Sequence, residues 1–325
     1  MKINEQKIII DIKNLSVQFN TPHGLLKAVN NVSFELKEGE TLGILGESGS
    51  GKSVTVNAIM GLLETPPAEI TGNIYFDSID LLKASPKKIQ TLRGKRISLI
   101  HQDPVASLNP LLTVGYQICE MLTVHQPGLS QSDAKKKAIE LMEKVKIPSA
   151  KERIKSYPFE LSGGMCQRIL IALAISLEPD ILIADEPTTA LDVTVQSQIM
   201  DLLYELKRYS NMSMILITHD IGLVAENTTE TLVMYAGKIF EKGPTEKIIL
   251  DPNHPYTQGL IDSIPSKQEK GNKLFAIEGS PPVLTKMPKG CPFHSRCKMS
   301  KEICVDKMPL LKQNNPSRIS ACHFS

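Results

Sequence analysis

Short apolar runs alternate with helical periods up to about residue 245 of the chain. Four of these runs are bounded by polar or turn residues and predict buried strands: residues 41–45, 97–100, 181–184 and 214–218. Between the first two runs, Val56, Ile59 and Leu63 share one face at helical spacing. Strands that alternate with helices are typical of an α/β layer fold with a mainly parallel sheet.

Three other stretches follow different patterns. In the first 40 residues, IIIDIKNLSVQF and VNNVSFELKEG resemble adjacent antiparallel strands and predict an added antiparallel β layer. Residues 105–177 are mostly helical and predict an inserted helical subdomain. The stretch LVMYAGKIFEKG predicts a hairpin that turns at Ala236 and Gly237.

Length and composition exclude several classes of protein. The chain has 325 residues, of which 41% are hydrophobic, and this is enough for a packed core. The 37 Lys and Arg residues nearly balance the 35 Asp and Glu residues, so no basic field favours nucleic acid. The longest apolar run, residues 169–175, is far shorter than the roughly 20 residues of a membrane-spanning helix. Because the first residues also lack the pattern of a signal peptide, we expect a cytoplasmic protein that binds no nucleic acid.

The chain changes character near residue 250. Four of its six cysteines lie in the last 35 residues, and nine of its 21 prolines lie from Pro252 onward. Such a shift in composition predicts a domain boundary. We therefore expect a first domain over residues 1–250, with the helical subdomain at about 105–177, and a small Cys-rich extension over residues 251–325.

A glycine-rich motif between the first predicted strand and the following helix predicts a phosphate site. It satisfies G-x-x-x-x-G-K-[ST] with Gly46, Glu47, Ser48, Gly49, Ser50, Gly51, Lys52 and Ser53. Backbone N–H groups of such a loop converge on an anion at a helix N-terminus. Lys52 is predicted to contact the β- and γ-phosphates of a nucleotide, and Ser53 to bind Mg²⁺ through its hydroxyl. A chance Gly/Ser-rich loop is the alternative, which the flanking strand and helix disfavour.

Two acidic residues follow the strand predicted at 181–184. Asp185 stands at its end, where a carboxylate can hold Mg²⁺ directly or through water. Glu186 points the other way and can act as a general base towards an attacking water. Either residue alone would be an ordinary solvated acid, but the pair favours the second half of a nucleotide site.

The segment LSGGMCQR completes a recognisable set of motifs. Ser162, Gly163 and Gly164 precede a helix predicted from about Met165 and form a second anion-binding end. With the loop before it and ILIADEP after it, the chain resembles the ATP-binding-cassette (ABC) ATPases. The resemblance implies a P-loop NTPase fold with a RecA-like parallel-sheet core. It also implies two composite ATP sites, in which the Ser162 segment of one protomer contacts the γ-phosphate held by the other.

Other positions match this family one by one. Gln102 resembles the glutamine that senses Mg²⁺ and nucleotide and links to the membrane partner. His219 resembles the histidine that contacts the γ-phosphate, and Asp192 belongs to a segment resembling the D-loop, in which Thr189 stands where serine is more frequent. Phe19 is the candidate for stacking on adenine, with a core phenylalanine as the alternative.

The last quarter of the chain narrows the resemblance. His254-Pro255-Tyr256-Thr257 and IEGSPPVLTKMPKGCPFHSRC resemble the C-terminal extension of the D-type ATPases of oligopeptide, dipeptide and nickel importers. This implies an ATP-hydrolysing subunit for peptide import at the cytoplasmic face of the membrane. Its partners would be an F-type sister ATPase, two membrane permeases and an extracytoplasmic binding protein. Import of nickel or another small solute, a soluble ABC ATPase acting on DNA or ribosomes, and a non-catalytic regulatory cassette are the alternatives.

Four cysteines of the extension form a candidate metal site. Cys291, Cys297, Cys304 and Cys322 could provide four thiolates to Zn²⁺ or to a 4Fe–4S cluster. The spacing of the cysteines is compatible with either zinc or the cluster, and disulfides or unrelated thiols are further alternatives. The resemblance to D-type ATPases implies the 4Fe–4S cluster, which we expect to act as a structural clamp on a proline-rich tail.

Overall fold

A computed structural model describes residues 6–189, 191–264, 276–315 and 317–325. The described strands are β1 Ile8–Thr21, β2 Gly24–Lys37, β3 Thr41–Leu45, β4 Ala68–Phe76, β5 Ile79–Asp80, β6 Ile97–Ile100, β7 Ile181–Asp185, β8 Ser213–Thr218, β9 Glu230–Tyr235, β10 Lys238–Pro244, β11 Lys312–Asn315 and β12 Arg318–Ser320. The described α-helices are α1 Lys52–Ile59, α2 Pro86–Leu92, α3 Pro104–Ser107, α4 Val114–His125, α5 Gln131–Lys144, α6 Ala150–Arg153, α7 Gly163–Ile175, α8 Val193–Ser210, α9 Ile221–Asn227, α10 Thr245–Leu250, α11 Pro255–Asp262 and α12 Glu302–Asp306.

The chain divides into two compact units. The first combines residues 1–85 with residues 216–325, and the second is residues 86–215. The division falls within β8. None of the helices in the described ranges is both long and apolar enough to cross a membrane.

The first unit contains the predicted antiparallel layer. Its strand order is β2-β1-β4-β5, and all three neighbouring pairs are antiparallel. Alternate residues of β1 and β2, such as Ile12 and Phe34, are opposite each other and buried. The period-2 alternation thus produces one apolar face, as the sequence indicates. The partner strand β4 was not predicted.

The first unit also holds strands of a second sheet, in the order β11-β12-β10-β9-β3. Strand β3 is parallel to β9, whereas β9 pairs with β10 in an antiparallel hairpin. Every residue of β3 is buried, which explains its unbroken apolar sequence. The hairpin turns at Ala236 and Gly237, whose φ values of 47° and 79° are both left-handed, as a tight two-residue turn requires.

The second unit carries the helices of residues 104–175, namely α3 to α7, together with the parallel pair of β6 and β7. Helix α7 is apolar on most sides and largely buried. The side chain of Ser162 accepts a hydrogen bond from the Met165 N–H and caps this helix. The helix therefore begins at Gly163, two residues before the predicted start, because the cap lies directly before it.

Among the described residues beyond 250, several apolar side chains pack into the same core as the β9–β10 hairpin. Tyr256 from α11 and Phe293 contact Tyr235 and Phe240 of the β9–β10 hairpin. The ring centroids of Tyr235 lie 4.6 Å from Tyr256 and 5.4 Å from Phe293. These four residues are called the aromatic cluster below. Strand β12 adds to the edge of β10, so the tail also extends the sheet.

Candidate nucleotide site

The glycine-rich loop lies between β3 and α1, where the motif requires it. A Cβ atom on Gly46 would collide with the carbonyl oxygen of Met234 on β9. A Cβ on Gly51 would lie 2.5 Å from the carbonyl oxygen of Ala28, and Gly51 also has a φ of 102°. Only glycine fits at these positions, because the loop backbone is pressed against two strands.

The hairpin turn holds the same loop from one side. The N–H of Gly237 donates to the carbonyl of Ser50 over 2.9 Å, and the carbonyl of Gly237 accepts from the N–H of Asn30 over 2.8 Å. The turn therefore ties the phosphate loop to β2.

Lys52 is buried at the start of α1. Its Nζ donates to the carbonyls of Gly46 and Glu47 over 2.7 and 2.9 Å. The ammonium thus lies inside the curve of the loop, next to the first N–H groups of the helix, while Ser53 is exposed in the same turn. An anion placed at this end would meet both a fixed positive charge and the positive end of the helix dipole.

Glu47 makes contacts that the motif does not reveal. Its backbone N–H donates to the hydroxyl of Tyr256 over 3.0 Å. Arg296 donates through both terminal nitrogens to the Glu47 carboxylate, over 2.7 and 3.0 Å. The Arg296 side chain is only 5% exposed. Glu47 was predicted only as a member of the phosphate-binding motif, and Arg296 had no predicted role.

The second unit brings together three of the predicted residues and their neighbours. Asp185 ends β7, and Glu186 follows it with a φ of 48° that turns its side chain away from the strand direction. Gln102, which follows β6, donates to the Glu186 carboxylate over 3.0 Å. The hydroxyl of Thr189 donates to the same oxygen over 2.9 Å. Two donors thus orient the carboxylate of Glu186.

The Ser162 segment and the Asp192 segment meet in the same unit. Asp192 caps α8 by accepting from the N–H of Val195 over 2.9 Å. A Cβ on Gly164 would lie 2.8 Å from a methyl group of Val195. The glycine therefore permits close approach of the N-terminal ends of α7 and α8.

The two remaining candidates lie in the first unit. His219 is exposed between β8 and α9, next to Asp220, which caps that helix. Phe19 is half-buried on β1, opposite Leu26 and Ala68. The roles of His219 at the γ-phosphate and of Phe19 at the adenine stay predictions.

The chain is similar to known proteins over nearly its whole length. The oligopeptide transport ATP-binding protein OppD of Salmonella typhimurium is 47% identical over 315 residues, which cover 97% of this chain and 93% of that protein. The dipeptide transport ATP-binding protein DppD of Bacillus subtilis is 49% identical over 297 residues, covering 91% and 88%. The family described as ABC transporter matches residues 29–189, and the oligopeptide/dipeptide transporter C-terminal region matches residues 240–304. The chain is an ABC ATPase of the oligopeptide/dipeptide transporter family.

Solved structures confirm the ABC ATPase fold. The ATP-binding cassette MJ0796, in a dimeric post-hydrolysis state bound to ADP and Pi, matches with a TM-score of 0.66 and 28% identity. The match covers 73% of this ABC ATPase and 98% of that chain. The predicted P-loop ATPase fold is therefore correct.

The predicted iron–sulfur cluster of this ABC ATPase is wrong. The four cysteines Cys291, Cys297, Cys304 and Cys322 line one cavity of about 1030 Å³. However, no three His, Cys, Asp or Glu side chains within the described ranges are grouped so that they could hold a metal ion. Burial raises the pKa of Cys291 to about 11 and also raises that of Cys297, as expected for thiols packed among apolar groups. Neither the cluster nor zinc is supported.

The structural reason for the error lies in the packing of the tail. The iron–sulfur cluster was expected to clamp a proline-rich segment that cannot build a hydrophobic core of its own. Instead, the aromatic cluster and the pairing of β12 with β10 hold the described residues beyond 250 against the rest of the first unit. The role assigned to a metal is filled by apolar burial and main-chain hydrogen bonds.

Proposed function

We propose that this chain is the ATP-hydrolysing subunit of an ABC importer for di- or oligopeptides, located at the cytoplasmic face of the membrane. The observation that carries the proposal is the 47% identity over 97% of the chain to an oligopeptide transport ATP-binding protein. A phosphate loop with a buried lysine and a carboxylate held by two donors supports the hydrolytic role. Residues 1–250, including a helical subdomain at 105–177, would form the cassette, and residues 251–325 the peptide-importer extension.

ATP and Mg²⁺ would be bound by groups whose chemistry suits them. Lys52 provides a positive charge for the β- and γ-phosphates, and the N–H groups of the loop provide further donors. Ser53, Gln102 and Asp185 carry the hydroxyl, amide and carboxylate oxygens that Mg²⁺ prefers. Bound Mg²⁺ supplies charge neutralisation of the phosphates.

Glu186 would act as the general base in hydrolysis. Gln102 and Thr189 hold its carboxylate in one orientation, so it can accept a proton from an attacking water. His219 would contact the γ-phosphate. Most of the rate enhancement would come from positioning and charge stabilisation, as is general for phosphoryl transfer.

The complete importer would contain other subunits. We propose an F-type sister ATPase as the dimer partner, with Ser162, Gly163, Gly164 and Asp192 facing the nucleotide of the partner, and Phe19 stacking on adenine. Two membrane permeases and a substrate-binding protein would complete the importer. The similar cassette MJ0796 is dimeric in its ADP- and Pi-bound structure, which supports dimeric association of this chain.

The substitution Glu186→Gln tests the catalytic role. It removes the proton acceptor but keeps the size and polarity of the side chain, so ATP binding should be retained and hydrolysis should fall by about 100-fold or more. Glu143→Gln, at an exposed position of α5, is the matched control and should hydrolyse ATP at the wild-type rate. Hydrolysis should be measured in the assembled transporter with peptide-loaded binding protein. An E186Q variant that hydrolyses ATP at the control rate would contradict the role of Glu186, and failure to copurify with permeases would contradict the transport function.

A further inference from the structure

Every polar group of Glu47 is occupied in the described structure. Its carbonyl accepts from Lys52, its N–H donates to Tyr256, and both carboxylate oxygens accept from Arg296. Three of these four hydrogen bonds are made with residues of the C-terminal extension, Tyr256 and Arg296. The first half of the phosphate loop is therefore attached to the extension by an ion pair and a hydrogen bond that cross more than 200 positions of sequence.

Arg296 is itself held in a rigid setting. Its Nε donates to the carbonyl of Glu278 over 3.1 Å, and one terminal nitrogen donates to the hydroxyl of Tyr235 over 3.2 Å. Its guanidinium carbon lies 5.8 Å from the ring centroids of Tyr235 and Phe293. Burial alone would lower the pKa of Arg296, but hydrogen bonds to Glu47 and Tyr235 raise it above its ordinary value. The cation is thus fixed and permanently charged.

A carboxylate at this position presents an electrostatic problem for an ATPase. Glu47 is part of the loop that binds a polyphosphate, and like charges at short range repel each other, the more so when partly buried. A bidentate guanidinium matches the carboxylate geometrically and neutralises its charge. It also prevents the Glu47 side chain from competing for Lys52.

We infer that Arg296 is a positioning residue for ATP binding, through which the C-terminal extension holds and neutralises Glu47 of the phosphate loop. This inference rests on the proposed ATPase function. The extension would then be part of the nucleotide-binding machinery, and an intact Arg296–Glu47 pair would be required for full ATP affinity.

A double-mutant cycle on the full-length chain tests the inference. Calorimetric titration with a non-hydrolysable ATP analogue and Mg²⁺ gives the Kd of each variant. Arg296→Gln leaves the Glu47 carboxylate unneutralised and should raise the Kd about tenfold, the size expected for loss of a charged hydrogen-bonded pair. Glu47→Gln should raise the Kd less than Arg296→Gln does, since no repulsive charge remains. The double variant R296Q/E47Q should recover most of the loss.

Arg318 provides a matched control in the same extension. It is a buried arginine that pairs with a carboxylate, Asp251, over 2.9 Å, and none of its hydrogen bonds reaches the phosphate loop. Arg318→Gln should therefore lower the thermal unfolding midpoint without changing the Kd. Arg296→Lys keeps the positive charge but loses the bidentate geometry of the guanidinium, so it should give an intermediate Kd. This variant serves as the test if R296Q does not fold.

The outcomes are distinguishable. Equal weakening by R296Q and R318Q, or a double variant that binds as weakly as R296Q, would overturn the inference and show that the extension acts only on stability. If the wild-type chain does not bind the analogue at all, the proposed ATPase function fails instead. Rescue of R296Q by E47Q, with R318Q unchanged, supports the inference.

Discussion

His254 is a titratable side chain that burial keeps neutral. It is 2% exposed, and its Nδ1 accepts from the N–H of Tyr256 at the start of α11. Burial lowers the pKa of His254 to about 3, from an ordinary value near 6.5. Between these two pH values, the unfolded chain binds a proton here that the folded chain does not. Folding stability therefore falls as pH is lowered from 6.5 towards 3.

The substitution His254→Asn should remove this pH dependence. Asparagine can cap the helix through its side-chain oxygen but does not titrate. Between pH 6.5 and 5.5, the free energy of unfolding of the wild type should fall by about 1 kcal/mol more than that of H254N. Denaturant unfolding at several pH values measures both. Burial also raises the pKa of Glu241, but this residue is present in both proteins, so its contribution to the pH dependence cancels in the difference. If the free energy of unfolding fell equally steeply with pH in both proteins, the prediction would be contradicted.

At the scale of elements, the β9–β10 hairpin supports the phosphate loop through its tight turn. Gly237 has a φ of 79°, and a Cβ at this position would lie 2.8 Å from the carbonyl oxygen of Ala28. The turn sequence therefore determines how closely the hairpin approaches β2 and Ser50. A side chain at Gly237 would separate these elements.

Gly237→Ala should lower the free energy of unfolding by about 2 kcal/mol or more, because backbone strain and a steric clash add together. Gly279→Ala is the matched control. Gly279 has a φ of 78°, but a Cβ there would meet only an ordinary contact of 3.5 Å, so backbone strain alone should cost about 1 kcal/mol. Urea unfolding compares the two variants, and an equal loss would show that the approach to Ala28 is unimportant.

Local pattern predicted the elements well where burial is complete. Strands β3 and β6 have the predicted ends, and β7 and β8 differ by one residue, because fully buried runs end where polar residues begin. Strand β4 was missed because its burial alternates irregularly and Gly72 interrupts it. Helix α1 ends at Ile59, although its apolar spacing continues to Leu63.

At the scale of the whole molecule, the aromatic cluster joins the extension to the rest of the first unit. Phe293 is 3% exposed and lies edge-on to Tyr235 and Tyr256, with centroid distances of 5.4 and 5.3 Å. Such packing fixes the segment that contains Arg296. The stability of the tail and the geometry of the phosphate loop therefore share one set of contacts.

Phe293→Ala should lower the free energy of unfolding by about 3–5 kcal/mol, since it leaves a cavity in the aromatic cluster. Met299→Ala, six residues along and 58% exposed, is the control and should change it by less than about 0.5 kcal/mol. Calorimetry or denaturant unfolding of the full-length chain measures both. A small effect of F293A would mean that the extension packs only loosely on the hairpin.

Contacts between distant parts of the sequence could not be predicted. Motif spacing identified the phosphate loop, Asp185 and Glu186, because the local pattern itself carries their chemistry. Arg296 lies 249 positions from Glu47, and no periodicity links them. The same limit explains the wrong prediction of a cluster, since cysteine spacing does not reveal that the aromatic cluster and β12 hold this part of the chain.

The first unit is discontinuous along the chain, and this has a consequence for its biosynthesis. The second unit, residues 86–215, is contiguous along the chain. Strand β3 and the phosphate loop are made early, but their partners β9 and Arg296 are made only after residues 86–215. We expect the early segment to remain incompletely folded, with an apolar strand exposed to chaperones, until β9 and Arg296 have been synthesised. Competence to bind nucleotide would then be acquired only after Arg296 has been synthesised, and not when the phosphate loop itself is made.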